Sequence, residues 1–407
     1  MWIIRSVYRS ELEINPSINL NAMLATGLTI VAIAATTVSA APATKHSPRY
    51  VDWSTFNATG VNLGGWMVQE LTIDTGFWAD FAGNKPDEWT VCEADKSTCS
   101  VALERRYATW ITTCDIDRLA EAGITLLRIP TNYATWIQVP GSQLYHGNQL
   151  EYLEKITTHA IEKHGMHVVL DLHSLPGGLN GLDIGERVGA RQWFHNQTAL
   201  SYSLATVDRV LDFIRRSGHP QHFTLEPANE PSDNTDFSTF GTPATLSAQG
   251  SEWVLKYYKA VVDRVAKSKT PQLSVMLHDG FQGPGFWSPH FNPEQDKIVF
   301  DLHKYYFARP STPANVTDIM TADGKAAASH GEFPTFVGEW AIQTSVNNTY
   351  ANRREIFRHG LATWAEYTRG SAYWNVKYSG NGEVDGEGTQ AYYWNFQQFM
   401  DSGYLDS

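Results

Sequence analysis

A chain of 407 residues with 42% hydrophobic content can bury a large core, and one α/β barrel with loop insertions would use most of it. The formal net charge of −12 argues against nucleic acid or an anionic membrane surface as the main partner. Aromatic residues make up 12% of the chain, with 14 tryptophans, which fits a well-filled core or a cleft whose rings stack on sugar faces.

Residues 1–41 read as a signal peptide or N-terminal anchor with an upstream extension. Leu24 to Ala41 carries no charge and ends Val38-Ser39-Ala40-Ala41, a small-residue cleavage pattern. The run is long enough to anchor in a membrane. Its threonines and Ala-rich end favour cleavage, so the expectation is a secreted or cell-wall-associated protein. Asn-x-Ser/Thr sequons at Asn57, Asn196, Asn315 and Asn347 agree with a secreted glycoprotein. Cys92, Cys99 and Cys114 lie close together; in an oxidising compartment one pair is expected to bridge and one thiol to remain. With no CxxC pair and no HExxH, no metal site is expected.

Residues 50–407 read as one domain. Short β-rich runs fall at Gly60–Gly65, Thr125–Pro130, His167–His173, Phe223–Asn229, Leu273–Asp279, Ile298–Tyr305, Thr335–Glu339 and Ala372–Asn375. They are continuously apolar, as parallel strands covered on both faces are. Helical spacing marks Val101–Glu121, Leu150–Lys163, Thr198–Arg216, Trp253–Lys267 and Asn352–Tyr367, the first two stopping at Gly123 and Gly165. The alternation predicts a (β/α)8 TIM barrel. Pro227 falls inside the fourth expected strand, where it removes a ladder donor, so an irregular start or a bulge is expected there.

The expected strands end in Asn62, Arg128, His173, Asn229-Glu230, His278-Asp279, His303 with Tyr305, Glu339 and Trp374. In such barrels the active site is built at that end. Buried ionisable groups cost free energy unless paired, so a ring of them needs a purpose. Glu230 and Glu339 are distant in sequence, and a fold that unites them makes the carboxyl pair that glycosidic cleavage needs. Glu230 is expected as the acid/base and Glu339 as the nucleophile. A separation of about 5–5.5 Å would mean retention and about 6.5–9.5 Å inversion.

Arg128 would orient Glu339 and favour its ionised form. Glu226 is expected deeper in the barrel, as a partner for Arg128 or a neighbour. Asn229 could donate to the sugar 2-hydroxyl. His173, His303 and Tyr305 would line the −1 pocket, Trp374 would floor it, and His278 and Asp279 are weaker candidates. The sequence has no GxSxG elbow, no phosphate loop and no GxGxxG after a strand.

Gly60-Val61-Asn62-Leu63-Gly64-Gly65-Trp66 with Glu70, Leu127-Arg128-Ile129-Pro130, Asp171-Leu172-His173 with Pro176-Gly177, Asn229-Glu230-Pro231, His303-x-Tyr305 and Gly338-Glu339-Trp340 together resemble glycoside hydrolase family 5. Within it the likeness is to fungal exo-β-1,3-glucanases (glucan 1,3-β-glucosidases) and related β-1,6-glucanases. The resemblance implies a retaining mechanism acting on β-glucan. No cofactor and no protein partner is implied, and a monomer is expected. It adds Glu70 as a ligand of the terminal glucose and a cis peptide after Trp374. Where those glucanases carry a Phe and an Asn after the Asn-Gly of the third loop, this chain has Leu182, Asp183 and Ile184 after Asn180-Gly181. The insert Asp74–Cys99 also differs. The expected activity is that of a glucan exo-1,3-β-glucosidase. The alternatives are an endo-β-1,6-glucanase or another β-glucosidic specificity and, remotely, a non-catalytic wall-glucan-binding protein.

Overall fold

The computed structural model describes residues 49–405 except His330; the run Leu24–Ala41, with the signal or anchor expected there, lies outside them. Eight parallel strands close in chain order: β1 (Ala58–Asn62), β2 (Leu126–Thr131), β3 (His167–Leu172), β4 (Phe223–Glu226), β5 (Ser274–His278), β6 (Ile298–Lys304), β7 (Thr335–Trp340) and β8 (Gly370–Tyr373). β8 pairs back onto β1, with Ala58 beside Gly370 and Val61 beside Tyr373. The protein is a (β/α)8 barrel.

Strand residues alternate between the barrel interior and the helix-covered exterior. Low in the interior, Ala58, Leu126, Val169, Met276, Val299, Phe336 and Ala372 form a small cluster of their own. Trp53, just before β1, joins this cluster from below, and its Nε1–H donates to Thr224 Oγ1 at 3.0 Å. Two residues further along β2, β3, β4, β5 and β6 the interior positions are Arg128, Asp171, Glu226, His278 and Asp301, all fully buried. The barrel is therefore apolar at its floor and charged towards the C-terminal ends of its strands.

The helices are α1 (Thr75–Ala82), α2 (Glu88–Ala94), α3 (Lys96–Thr109), α4 (Thr113–Glu121), α5 (Gln149–His164), α6 (Gln197–Arg216), α7 (Ala248–Lys267), α8 (Pro284–Trp287), α9 (Val316–Ala328), α10 (Arg353–Tyr367), α11 (Ala391–Trp394) and α12 (Phe396–Asp401). α5 ends at Gly165 in the left-handed conformation, where glycine avoids the Cβ penalty.

The expected single helix Val101–Glu121 is two. The Thr112 hydroxyl accepts from Asp115 N–H while Asp115 caps Thr112 in return, so the chain restarts a helix there. The fourth strand stops at Glu226, before Pro227, so the expected irregular start or bulge is instead a strand end. α1 and α2 fill much of the Asp74–Cys99 insert, and α9 had not been expected. Cys92 of α2 and Cys99 of α3 are bridged, and Cys114 is a free, exposed thiol.

Candidate active site

The upper interior is organised by Arg128. Its Nε donates to Glu226 Oε2 at 2.7 Å and its Nη2 to Glu226 Oε1 at 2.9 Å, a two-point ion pair. Nη1 reaches Glu339 Oε1 at 2.6 Å and Asn62 Oδ1 at 3.0 Å. Nη2 also meets Asn229 Oδ1 at 3.0 Å and Asp171 Oδ2 at 3.1 Å. Burial alone would weaken this cation, but Asp171, Glu226 and Glu339 hold it charged. Glu226 thus sits against Arg128 at depth.

Glu339 accepts at both oxygens: from Arg128 at Oε1 and from the Tyr305 hydroxyl at Oε2, 2.7 Å away. Glu230 follows β4 in a left-handed backbone conformation, φ 47°, that turns its carboxyl towards β6. There Oε1 lies 2.7 Å from His303 Nδ1, and the same nitrogen is 3.5 Å from Glu339 Oε2. Oε1 of Glu230 and Oε2 of Glu339 thus converge on one ring nitrogen of His303.

His303 and His173 are held alike. Asp171 Oδ2 lies 2.6 Å from His173 Nδ1, and Asp301 Oδ2 lies 3.1 Å from His303 Nε2. Both pairs come from the same tripeptide, Asp-Leu-His, which runs off the end of β3 and lies within β6. Period two puts both residues of each pair on the interior face. Burial opposes charge on His303, but Glu339, Asp301 and Glu230 outweigh it and raise its pKa well above the usual imidazole range. His173 stacks on Trp374, with centroids 5.9 Å apart and planes 8° from parallel. The Trp374–Asn375 peptide is cis. Asn229 Nδ2 stands 3.4 Å from His173 Nε2.

His278 and Asp279 differ from the rest. Gly280 N–H donates to His278 Nδ1 at 2.9 Å, which makes it a neutral imidazole, and burial lowers its pKa further. Asp279 caps a turn by accepting from Phe281 N–H at 2.8 Å. Glu70 has a buried oxygen, Oε1, without a partner. Burial, then Asp183, Glu339 and Glu230, raise its pKa well above the carboxylate range.

Every residue expected at the site is thus at the C-terminal end of the barrel. Asp301 was missed; the repeated Asp-Leu-His spacing was the signal for it.

The model for cellulase (glycosyl hydrolase family 5) matches residues 92–380. The chain belongs to glycosyl hydrolase family 5. It is an O-glycosyl hydrolase. A protein of Aspergillus niger named probable glucan 1,3-beta-glucosidase A is 29% identical over 71% of this chain and 66% of its own length. Its namesake in Aspergillus clavatus is 28% identical over 76% of this chain and 71% of its own length. Among solved structures, the rutinosidase from Aspergillus niger is 48% identical, with a TM-score of 0.86 over 88% of this chain and 100% of that one. The structure of AoRut is 51% identical, with a TM-score of 0.86 over 88% of this chain and 99% of that one.

Proposed function

We propose that this family 5 enzyme is a retaining β-glucosidase that cleaves rutinosides, glucosides whose glucose carries a second sugar on its 6-oxygen. The observation that carries this reading is the 48% identity to a rutinosidase along the full length of that protein. The glucan 1,3-beta-glucosidase relatives stand lower, at 28–30%. The third loop agrees: Leu182 and a buried Ile184 replace the Phe and Asn expected of an exo-β-1,3-glucanase.

An aromatic run beyond the ends of β4 and β5 fits a flat leaving group. From His303 it passes to the His278 ring at 4.4 Å, to Phe281 at 5.1 Å and to Phe240 at 5.5 Å. Phe240 stacks on the exposed Phe237 at 5.5 Å. Offset aromatic faces attract other ring systems.

In this reading Glu230 protonates the glycosidic oxygen as Glu339 attacks the anomeric carbon. Water, activated by Glu230, then releases the sugar with retained configuration. Arg128 and Tyr305 aim the attacking carboxylate, and Trp374 with His173 floors the sugar. Glu70 Oε1 accepts from a hydroxyl of the terminal glucose. The uncharged run before residue 42 and the fungal relatives support action outside the cell.

A second reading, release of glucose from β-1,3-glucan, is favoured by the curated relatives' names. Purified protein offered rutin, p-nitrophenyl β-glucoside, laminarin and pustulan in parallel decides between them. Intact disaccharide from rutin is the expected product. Glucose from laminarin with rutin untouched would establish the second reading, and action confined to pustulan would point to a β-1,6-glucanase. Binding of glucan without any turnover would sink both.

A further inference from the structure

Strands β6 and β7 do not pair evenly. Leu302 stands beside Val337 and His303 beside Glu339, so Gly338 is an extra residue in β7. Phe336 belongs to the floor cluster inside the barrel, and strict alternation from it would send Gly338 inward and Glu339 outward. The extra residue reverses the alternation and brings Glu339 into the site.

Asp301 fills the place this leaves. Its Oδ1 accepts from Gly338 N–H at 2.6 Å, supplying the partner that the ladder does not. A Cβ on residue 338 would lie 2.2 and 2.3 Å from the two Asp301 oxygens, so the contact requires glycine immediately before Glu339. The other oxygen of Asp301 meets His303 Nε2 at 3.1 Å, while Nδ1 of the same ring meets Glu230 at 2.7 Å. Asp301 itself is fully buried.

We propose that Asp301 is a positioning residue for the hydrolytic reaction. It fixes the backbone that presents Glu339, and it keeps a proton on His303 Nε2 so that an imidazolium bridges Glu230 and Glu339. This role rests on the assignment of those two glutamates above.

The other groups around His303 leave this charge to the imidazole. From β5, His278 is neutral because its Nδ1 accepts from Gly280, and Asp279 turns to Phe281 N–H. From β2, Arg128 approaches Asp301 Oδ2 only to 3.9 Å and directs its hydrogen bonds to Glu226 of β4, Glu339, Asn62 and Asn229. A ring whose two nitrogens both face ionised carboxylates is satisfied only when both are protonated.

Asp301→Asn separates this role from a merely structural one. The amide oxygen can still accept from Gly338, but the NH2 then faces Nε2, which must give up its proton. The imidazole becomes neutral, and anionic carboxylates beside it lose a cation. A cation at this range lowers carboxyl pKa values by about 1–3 units, so the acid limb of kcat/KM should rise by about one pH unit.

A folded Asp301→Asn enzyme whose pH limbs match the parent, whatever its rate, would overturn the proposal. If that variant does not fold, nitrogen-15 histidine spectra of the parent decide instead. Both nitrogens of His303 should carry protons at pH 7, and a neutral ring there overturns the proposal equally. A parent without glycosidase activity would refute the glutamate assignment, while the same spectra would still decide the charge of His303.

Discussion

One guanidinium, that of Arg128, donates to Glu226 through Nε and Nη2 and to Glu339 through Nη1. A planar fork does this where an ammonium could not, so Glu339 is aimed before any substrate arrives. Glu339→Gln keeps the shape and most of those contacts but loses the nucleophile. We expect a loss on the order of 10³-fold or more in kcat with a near-parental melting temperature. Near-parental turnover would refute the assignment. Glu230→Gln removes a proton donor rather than an attacking group. Its loss should approach the about 10²–10⁴-fold typical of general acids on rutin or alkyl glucosides. It should shrink on aryl glucosides with acidic leaving groups, and equal losses across a leaving-group series would count against the acid role.

The elements around the cleft mouth are joined through buried carboxyls. Asp87, the cap of α2, also accepts from Val188 N–H at 2.8 Å, so the β1 insert holds the loop after β3. Beside this contact, Glu88 accepts from Tyr145 N–H at 3.2 Å, and Glu186 from Gly177 N–H at 3.0 Å and Tyr133 OH at 3.1 Å. Burial raises both carboxyls from 4.5 to about 7, against the pull of those hydrogen bonds. A raised carboxyl pKa means the folded state binds more protons than the unfolded one between those values. Each group's contribution is therefore fully present below about pH 4.5 and is lost as pH rises to about 7. The size is on the order of 3 kcal/mol per group. Glu88→Gln and Glu186→Gln should each flatten the fall in unfolding free energy across this window relative to the parent. Urea titrations at several pH values measure it, and unchanged slopes would show that these carboxyls ionise without cost.

The same scale shows what could be read from the chain. Strands were legible because apolar runs of the right length end in polar residues, and α5 because Gly165 stops it. α9 was not, because Gly324 looks like a breaker. In the structure a Cβ there would meet Tyr367 and Thr363 of α10 at 2.9–3.1 Å, so the glycine serves close helix packing. α1 and α2 are too short to show a period, and only their Asp74 and Asp87 caps mark them. The site was largely visible because strand ends carry it. The inward turn of Glu339 was not, since it depends on a register shift between two strands, and neither was the partnership of Asp301 with Gly338.

At the scale of the molecule the barrel separates stability from chemistry along its axis. The charged groups are taken up by the C-terminal strand ends, while the opposite end is closed by Trp53 over Phe336, with ring centroids 5.3 Å apart. Trp53 is 3% exposed, and its indole donates to Thr224, two residues below Glu226 on β4. Trp53→Ala would remove the largest side chain of the floor and leave a cavity that the rigid strands cannot close. We expect a loss of about 3–5 kcal/mol in unfolding free energy. The layer holding Arg128, Glu226 and Asp301 is set by strand pairing above the cavity, so kcat/KM well below the melting temperature should stay within about twofold of the parent, as expected for the end of a barrel remote from its active site. Urea unfolding and rutin hydrolysis on the same preparation test both halves. A large kinetic loss at unchanged stability would mean that the floor sets the geometry of the carboxylates, and that the two ends of this barrel are not independent.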